Sequence, residues 1–243
     1  MTRPHPGPIP ADGEPSPIGG KSGAIRAAIF GLNDGLVSNL ALIMGVAGAG
    51  VAAEVVLVAG IAGLLAGAFS MAAGEYVSMR TQRELFERMI HIEAHELATD
   101  PEGETRELRQ LMERRGIPPA AAAQAAEAIM ADPEQAIDVH VREELGLDPE
   151  ELGSPWGAAG SSLVTFAVGA VVPIVPYLFA EGVVAAWAAV AAALTALFTV
   201  GAAMALLTGR GWRYSGMRMV LFGGGAAAIT FGIGKILGVT ALG

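Results

Sequence analysis

Asp34 is the residue least expected from its surroundings. It lies in the run Gly31-Leu32-Asn33-Asp34-Gly35-Leu36-Val37-Ser38, about three turns into an otherwise apolar stretch. A carboxylate inside a membrane helix is costly unless it faces protein, water or a cation, so such an acid is a candidate transport ligand. The alternative is a structural acid paired with a base such as Lys235, which stands alone in the last apolar segment. Gly31 and Gly35, four apart, would let a neighbouring backbone approach closely. In the next apolar stretch Met71 and Glu75 are also four apart and share a helix face, with Met79 one turn further on. A thioether beside a carboxylate suits a transition metal better than Mg²⁺ or Ca²⁺. Gly60, Gly63, Gly67 and Gly74 form a small-residue stripe that reads as packing rather than chemistry.

A second concentration of possible ligands lies between Arg80 and Glu151, which hold 18 of the 24 acidic residues. Glu93 and Glu96 are three apart, as are Glu104 and Glu107, and Glu143 and Glu144 follow His140. Carboxylates so spaced on neighbouring helices can converge on an oxygen-rich site for several ions. Any one of them alone would more simply belong to a solvated helix face. A competing cluster is Glu87, His91 and His95, each four apart, which could hold a zinc-like ion.

The sequence has no H-E-x-x-H, no Walker A run and no paired E-x-x-H of di-iron bundles. It contains no cysteine, which removes thiolate sites and thiol catalysis. These absences argue against an enzyme. They also leave an ion gradient as the energy source, with buried carboxylates as proton carriers. A net charge of −9 excludes nucleic acid as a partner, since that needs a basic patch.

The positioning elements follow from hydropathy. The chain is 53% hydrophobic and 16% charged, against about a quarter charged in a soluble domain. Five apolar segments approach the roughly 20 residues that a bilayer core requires: 25–49, 55–79, 158–180, 183–208 and 219–242. Short turns near 50–53 and at 181–182 make antiparallel neighbours of the flanking segments. Lys21 and Arg26 precede the first segment, Arg80, Arg83 and Arg88 follow the second, and Arg210, Arg213 and Arg218 separate the fourth from the fifth. By the positive-inside rule these loops, the N-terminus and the acidic insert face the cytosol. The expected fold is an all-α membrane protein of five transmembrane helices, with a cytosolic helical metal-binding insert between the second and third.

The expected organisation is a disordered Pro/Gly-rich tail over 1–22 with no secretory h-region, spans one and two over 23–79, the insert over 80–153, and spans three to five over 154–243. Within the insert, the second span continues to residue 97. Asp100-Pro101 breaks that helix, a second helix covers 104–115, Pro118-Pro119 opens a third to about 131, and Asp132-Pro133 starts a fourth that runs to 145.

The runs 26–36 (RAAIFGLNDGL), 59–71 (AGIAGLLAGAFSM), 74–78 (GEYVS), 144–147 (ELGL) and 172–177 (VPIVPY) together resemble the vacuolar iron transporters, in order and in spacing. The resemblance covers nearly everything after the tail. It implies a homodimer of five-span subunits that moves metal along the dimer interface in exchange for protons, from the cytosol into a vacuole or out of a bacterial cell. That family's membrane-site aspartate falls on Asp34 and its methionine on Met71. Its insert glutamates fall on Glu93, Glu96, Glu104, Glu107 and Glu144, and a methionine of plant members falls near His140 and Val141. The chain departs from the plant pattern at Ala27 and Gly63, where those members carry acids, and Glu75 adds a carboxylate one turn below Met71.

The expected function is proton-coupled export of Fe²⁺ or Mn²⁺, with Zn²⁺ and Co²⁺ as further candidates and no permanent cofactor. The membrane would be the inner membrane of a bacterium or the vacuolar membrane of a eukaryote. The alternative is a membrane-anchored metal sensor or buffer, which would not need Asp34.

Overall fold

The computed structural model describes residues 22–146, 148 and 152–242. The tail with Lys21, Leu147 of the 144–147 run and Glu151 near the end of the insert lie outside the described residues. Eight α-helices and no strand occur among the described residues: α1 Ser22–Gly48, α2 Ala53–Thr99, α3 Pro101–Arg114, α4 Pro119–Met130, α5 Pro133–Glu143, α6 Pro155–Val171, α7 Gly182–Thr208 and α8 Trp212–Leu242. A 3-10 turn, Val175–Leu178, follows α6. The helices form two compact units, one of residues 89–152 and the other of 23–88 with 153–243.

Helix starts follow a repeated local signal, a short polar residue followed by proline. The Asp100 carboxylate accepts from the Gly103 N–H, Asp132 from Glu134 and Gln135, and the Ser154 hydroxyl from Gly157. In each case the proline occupies the first helical position, where its missing N–H costs nothing. Asp100 and Asp132 open α3 and α5, α4 opens at Pro118-Pro119 without a side-chain cap, and 89–152 thus holds the end of α2 and three short helices. Leu108, Ala122, Ala126, Ala136 and Val141 are buried there. Small alanines in this interior let the helices approach closely enough to bring their polar faces together.

In the larger unit α1, α2, α7 and α8 are long and apolar enough to cross a membrane. The α2 helix continues unbroken for 47 residues, about 70 Å, so its charged second half extends well beyond a bilayer core of about 30 Å. Helix α1 is the most buried of the four. It packs on α6 through glycines: a Cβ at Gly35 would strike the Phe166 carbonyl, and one at Gly169 would strike the Leu32 carbonyl. Only backbone-to-backbone contact of this kind satisfies the geometry, so the Gly31/Gly35 pair serves packing against α6.

The third apolar segment differs from a continuous helix over 158–180. Helix α6 stops at Val171 and is 17 residues long. Pro173 has no N–H to donate, and the Ile174 N–H turns to the Val171 carbonyl at 2.9 Å. The Ala170 carbonyl thereby loses its helical partner. It accepts instead from the Asn39 side-chain amide of α1 at 2.7 Å.

Candidate metal sites

In the 89–152 unit, α2, α3 and α5 place acceptor atoms against one another. Ligand atoms of Glu93, Glu104 and His140 lie within 4.8 Å of each other, as do those of Glu104, Glu107 and Glu144, so Glu104 belongs to both groups. Glu93 and His140 are almost fully buried, at 3% and 1% exposed. Burial forces each polar atom to find a partner or remain unsatisfied.

His140 has one ring nitrogen tied to its own helix and the other turned to Glu104. Its Nδ1 lies 2.9 Å from the Ala136 carbonyl, one turn earlier on α5. A carbonyl can only accept, so Nδ1 carries a proton; Nε2 lies 3.5 Å from the Glu104 backbone carbonyl. That Nε2 faces the Glu104 carboxylate at 3.8 Å. Glu93 Oε1 is buried with no hydrogen-bond partner. With the proton on Nδ1 alone, Nε2 and the carboxylates would all present lone pairs to one another, a donor set that suits a cation. A void of about 20 Å³ lined by Glu107, Leu108, Leu111, Arg114, His140 and Glu144 adjoins them, enough for one water-sized occupant.

Mutual repulsion and burial appear in the acidities. Burial raises the Glu93 carboxyl to about 7, helped by the charge of Glu144 and by Glu104 and Glu96, against an opposing contribution from His140. Burial first, then Glu107, raises both Glu104 and Glu144. Glu96 thus belongs to the same electrostatic neighbourhood without contributing to either close group. Glu143 does not join: its carboxylate pairs with Arg115. The i,i+4 series Glu87, His91 and His95 forms no ligand group among the described residues, and Glu87 is held by Arg83 Nε at 2.7 Å.

In the larger unit, an open cavity of about 340 Å³ is lined by Asp34, Ser38, Asn39 and Leu42 of α1, Gly63, Gly67, Ser70 and Met71 of α2, and Phe166 of α6. Asp34 and Met71 therefore share one cavity. Ser38 donates to the Asp34 backbone carbonyl at 2.6 Å and leaves the Asp34 carboxylate free. No ion pair of Asp34 occurs among the described residues. Lys235 does not supply one: its backbone abuts Gly48, fourteen residues along α1, about 21 Å from Asp34. Glu75 does not line the cavity. It lies one turn beyond Met71 with Oε2 buried and without a hydrogen bond, and Arg26 Nη2 is 4.0 Å away. Sequence reasoning missed Ser38, Asn39 and Ser70, of which Ser38 alone carries a spacing signal, four residues after Asp34.

Four membrane-length helices, two of which line a cavity with a carboxylate that has no ion pair among the described residues, define a multi-pass membrane protein. Residues 25–235 match the VIT family, and the chain belongs to that family, whose members are transporters and not enzymes. It is 34% identical over 219 residues to the vacuolar iron transporter of Acanthamoeba castellanii, covering 88% of this chain and 79% of that protein. It is 30% identical over 214 residues to vacuolar iron transporter 1 of Arabidopsis thaliana, covering 88% and 86%. With vacuolar iron transporter 1 of Eucalyptus grandis it shares 31% identity over 214 residues, 87% and 85% of the two chains.

Proposed function

We propose that this protein moves divalent iron and manganese out of the cytosol in exchange for protons, as a homodimer. The observation that carries this reading is Asp34, a carboxylate with no counter-ion among the described residues, sharing a cavity with the Met71 thioether inside apolar helices. An anchor for a metal sensor or buffer has no use for that arrangement. The names of the relatives point to iron, and the His140 nitrogen and Met71 sulfur favour transition metals over Mg²⁺ and Ca²⁺. Zn²⁺ and Co²⁺ fit the same ligand types.

Arg26, Arg80, Arg83, Arg88, Arg210, Arg213 and Arg218 all lie on one side of the proposed spans, and the short turns on the other side hold no Lys or Arg. This supports a cytosolic insert. Helix α6 is the fifth span in this reading, its 17 residues reaching about 25 Å and the 3-10 turn extending it. The Asp34 cavity opens where Ser38 and Ser70 are exposed on the single chain. Such a polar opening is unfavourable against lipid, and a second copy would cover it. In a bacterial cell the membrane is the inner one, and in a eukaryote the vacuolar one.

The insert captures metal at Glu93, Glu96, Glu104, Glu107, His140 and Glu144, and the ion then reaches Asp34 and Met71. Metal near a carboxylate favours its charged form and apolar surroundings favour its protonated form, so metal arrival releases protons and reprotonation releases metal. Glu75 hands protons over near the cytosolic end. The test is uptake of Fe²⁺ and Mn²⁺ into proteoliposomes with and without an acidic lumen. Uptake faster into the acidic lumen supports the reading. Uptake indifferent to the gradient refutes the coupling, and uptake no better than empty vesicles refutes transport.

A further inference from the structure

We propose that the side-chain carbonyl of Asn39 is a second oxygen ligand for the transported ion, one step along α1 from Asp34. This inference rests on the transport reading. Asn39 is only 2% exposed, yet its Oδ1 is buried with no hydrogen-bond partner. Its orientation is fixed by the broken end of α6. The Ala170 carbonyl can only accept, so the group 2.7 Å from it is the Asn39 amide nitrogen, and Oδ1 must point the other way. It points to α2: a Cβ built on Gly63 would lie 2.8 Å from Oδ1. Asn39 and Gly63 both line the cavity that holds Asp34 and Met71. The missing side chain at Gly63 thus leaves an unpartnered oxygen between two residues that line the cavity the ion would enter.

A buried acceptor without a donor costs about 1–3 kcal/mol, and a cation removes that penalty. An amide oxygen is an ordinary ligand for a divalent ion but carries no full charge. Asn39 lies five residues beyond Asp34, about 7.5 Å along the helix and away from the Arg26 end. An ion leaving the charged Asp34 site would meet a weaker one next, which lets it move forward instead of remaining trapped. A purely structural role, in which the amide only ties α1 to α6, makes different predictions.

The chain contains two asparagines, Asn33 and Asn39, and the insert has none. In full-length Asn33→Gln protein in nanodiscs, isotope-labelled asparagine therefore reports on Asn39 alone. Infrared difference spectra on adding Mn²⁺ should show the labelled side-chain carbonyl shifting, and the shift should vanish when Asp34→Ala is added. An unmoved band in protein that still transports Mn²⁺ overturns the proposal. In proteoliposomes, Asn39→Ala should lower Mn²⁺ flux about tenfold or more. Adding Gly63→Glu to that variant returns an oxygen to the same space and should recover most of the flux. Flux that is unchanged in Asn39→Ala, or lost and not recovered by Gly63→Glu, also overturns it, since the second carboxylate cannot rebuild the bond to Ala170. If either single variant fails to fold, the other arm decides. Wild-type protein that transports no metal removes the underlying transport reading. Wild-type transport that Asp34→Ala abolishes and Asn39→Ala leaves intact removes only this inference.

Discussion

Replacing Glu93 with Gln should stabilise the metal-free insert and weaken its metal binding. The Glu93 carboxyl is raised from 4.5 to about 7, chiefly by burial, with Glu144, Glu104 and Glu96 adding repulsion. A carboxylate whose folded pKa is above its unfolded value destabilises the fold when ionised. The penalty is absent below about 4.5, grows between 4.5 and 7, and is complete above 7. At 1.36 kcal/mol per unit the ceiling is about 3 kcal/mol, and solvent screening around the cluster reduces this to about 1–2 kcal/mol. Glu104 and Glu144 are raised too and act in the same direction. The assay is hydrogen exchange over α3, α4 and α5 in chelator-treated full-length protein, corrected for the intrinsic effect of pH. Protection in the wild type should fall by about 5–30-fold from pH 5 to pH 8. Glu93→Gln should flatten that dependence and keep the higher protection at pH 8, while saturating metal should restore protection to the wild type only. Wild-type protection that is constant, or higher at pH 8 without metal, would refute the reasoning.

Replacing Glu93, Glu96, Glu104, Glu107 and Glu144 together with Ala should abolish calorimetric binding of metal to the insert. Flux should then fall mainly at low metal concentration, because capture rather than translocation is lost. If binding survives and only Glu87, His91 and His95 matter, the competing zinc-like series is the true site. In vesicles loaded with a pH-sensitive dye, Glu75→Gln should reduce metal-driven proton movement more than metal binding. Proton movement unchanged in both Glu75→Gln and Asp34→Asn would show that coupling runs elsewhere. Gly35→Val should destabilise the larger unit by about 1–3 kcal/mol, since its Cβ meets the Phe166 backbone, which has no flexible end to yield. A thermal midpoint in detergent equal to that of the wild type would contradict the α1–α6 contact.

The elements legible in the sequence are those with local causes. Asp132-Pro133 announces a helix start because cap and proline act within one turn, whereas Asp100-Pro101, expected as a break before a helix from 104, itself caps and opens α3 at Pro101. The long apolar helices are legible because a bilayer sets their length. The end of α6 at Val171 is hidden by apolarity that continues unbroken past Pro173 and Pro176 to residue 180. Glu143 and Glu144 cannot be separated in sequence, as adjacent helical residues point about 100° apart. Only the fold brings Arg115, 28 positions away, to Glu143 and leaves Glu144 beside Glu104 and Glu107. The Glu87/His91/His95 spacing is equally good on paper, but Arg83 one turn earlier takes the Glu87 carboxylate. Asn39 is invisible to a search for charges. Its orientation depends on a carbonyl 131 residues away.

The central claim is that metal crosses the membrane through Asp34. The most direct test is Fe²⁺ and Mn²⁺ flux into proteoliposomes by wild-type protein and by Asp34→Ala, with metal binding to the insert measured on the same preparations. The wild type should carry metal, and Asp34→Ala should lose flux while folding normally and binding metal at the insert as before. A well-folded Asp34→Ala protein with undiminished flux would contradict the account.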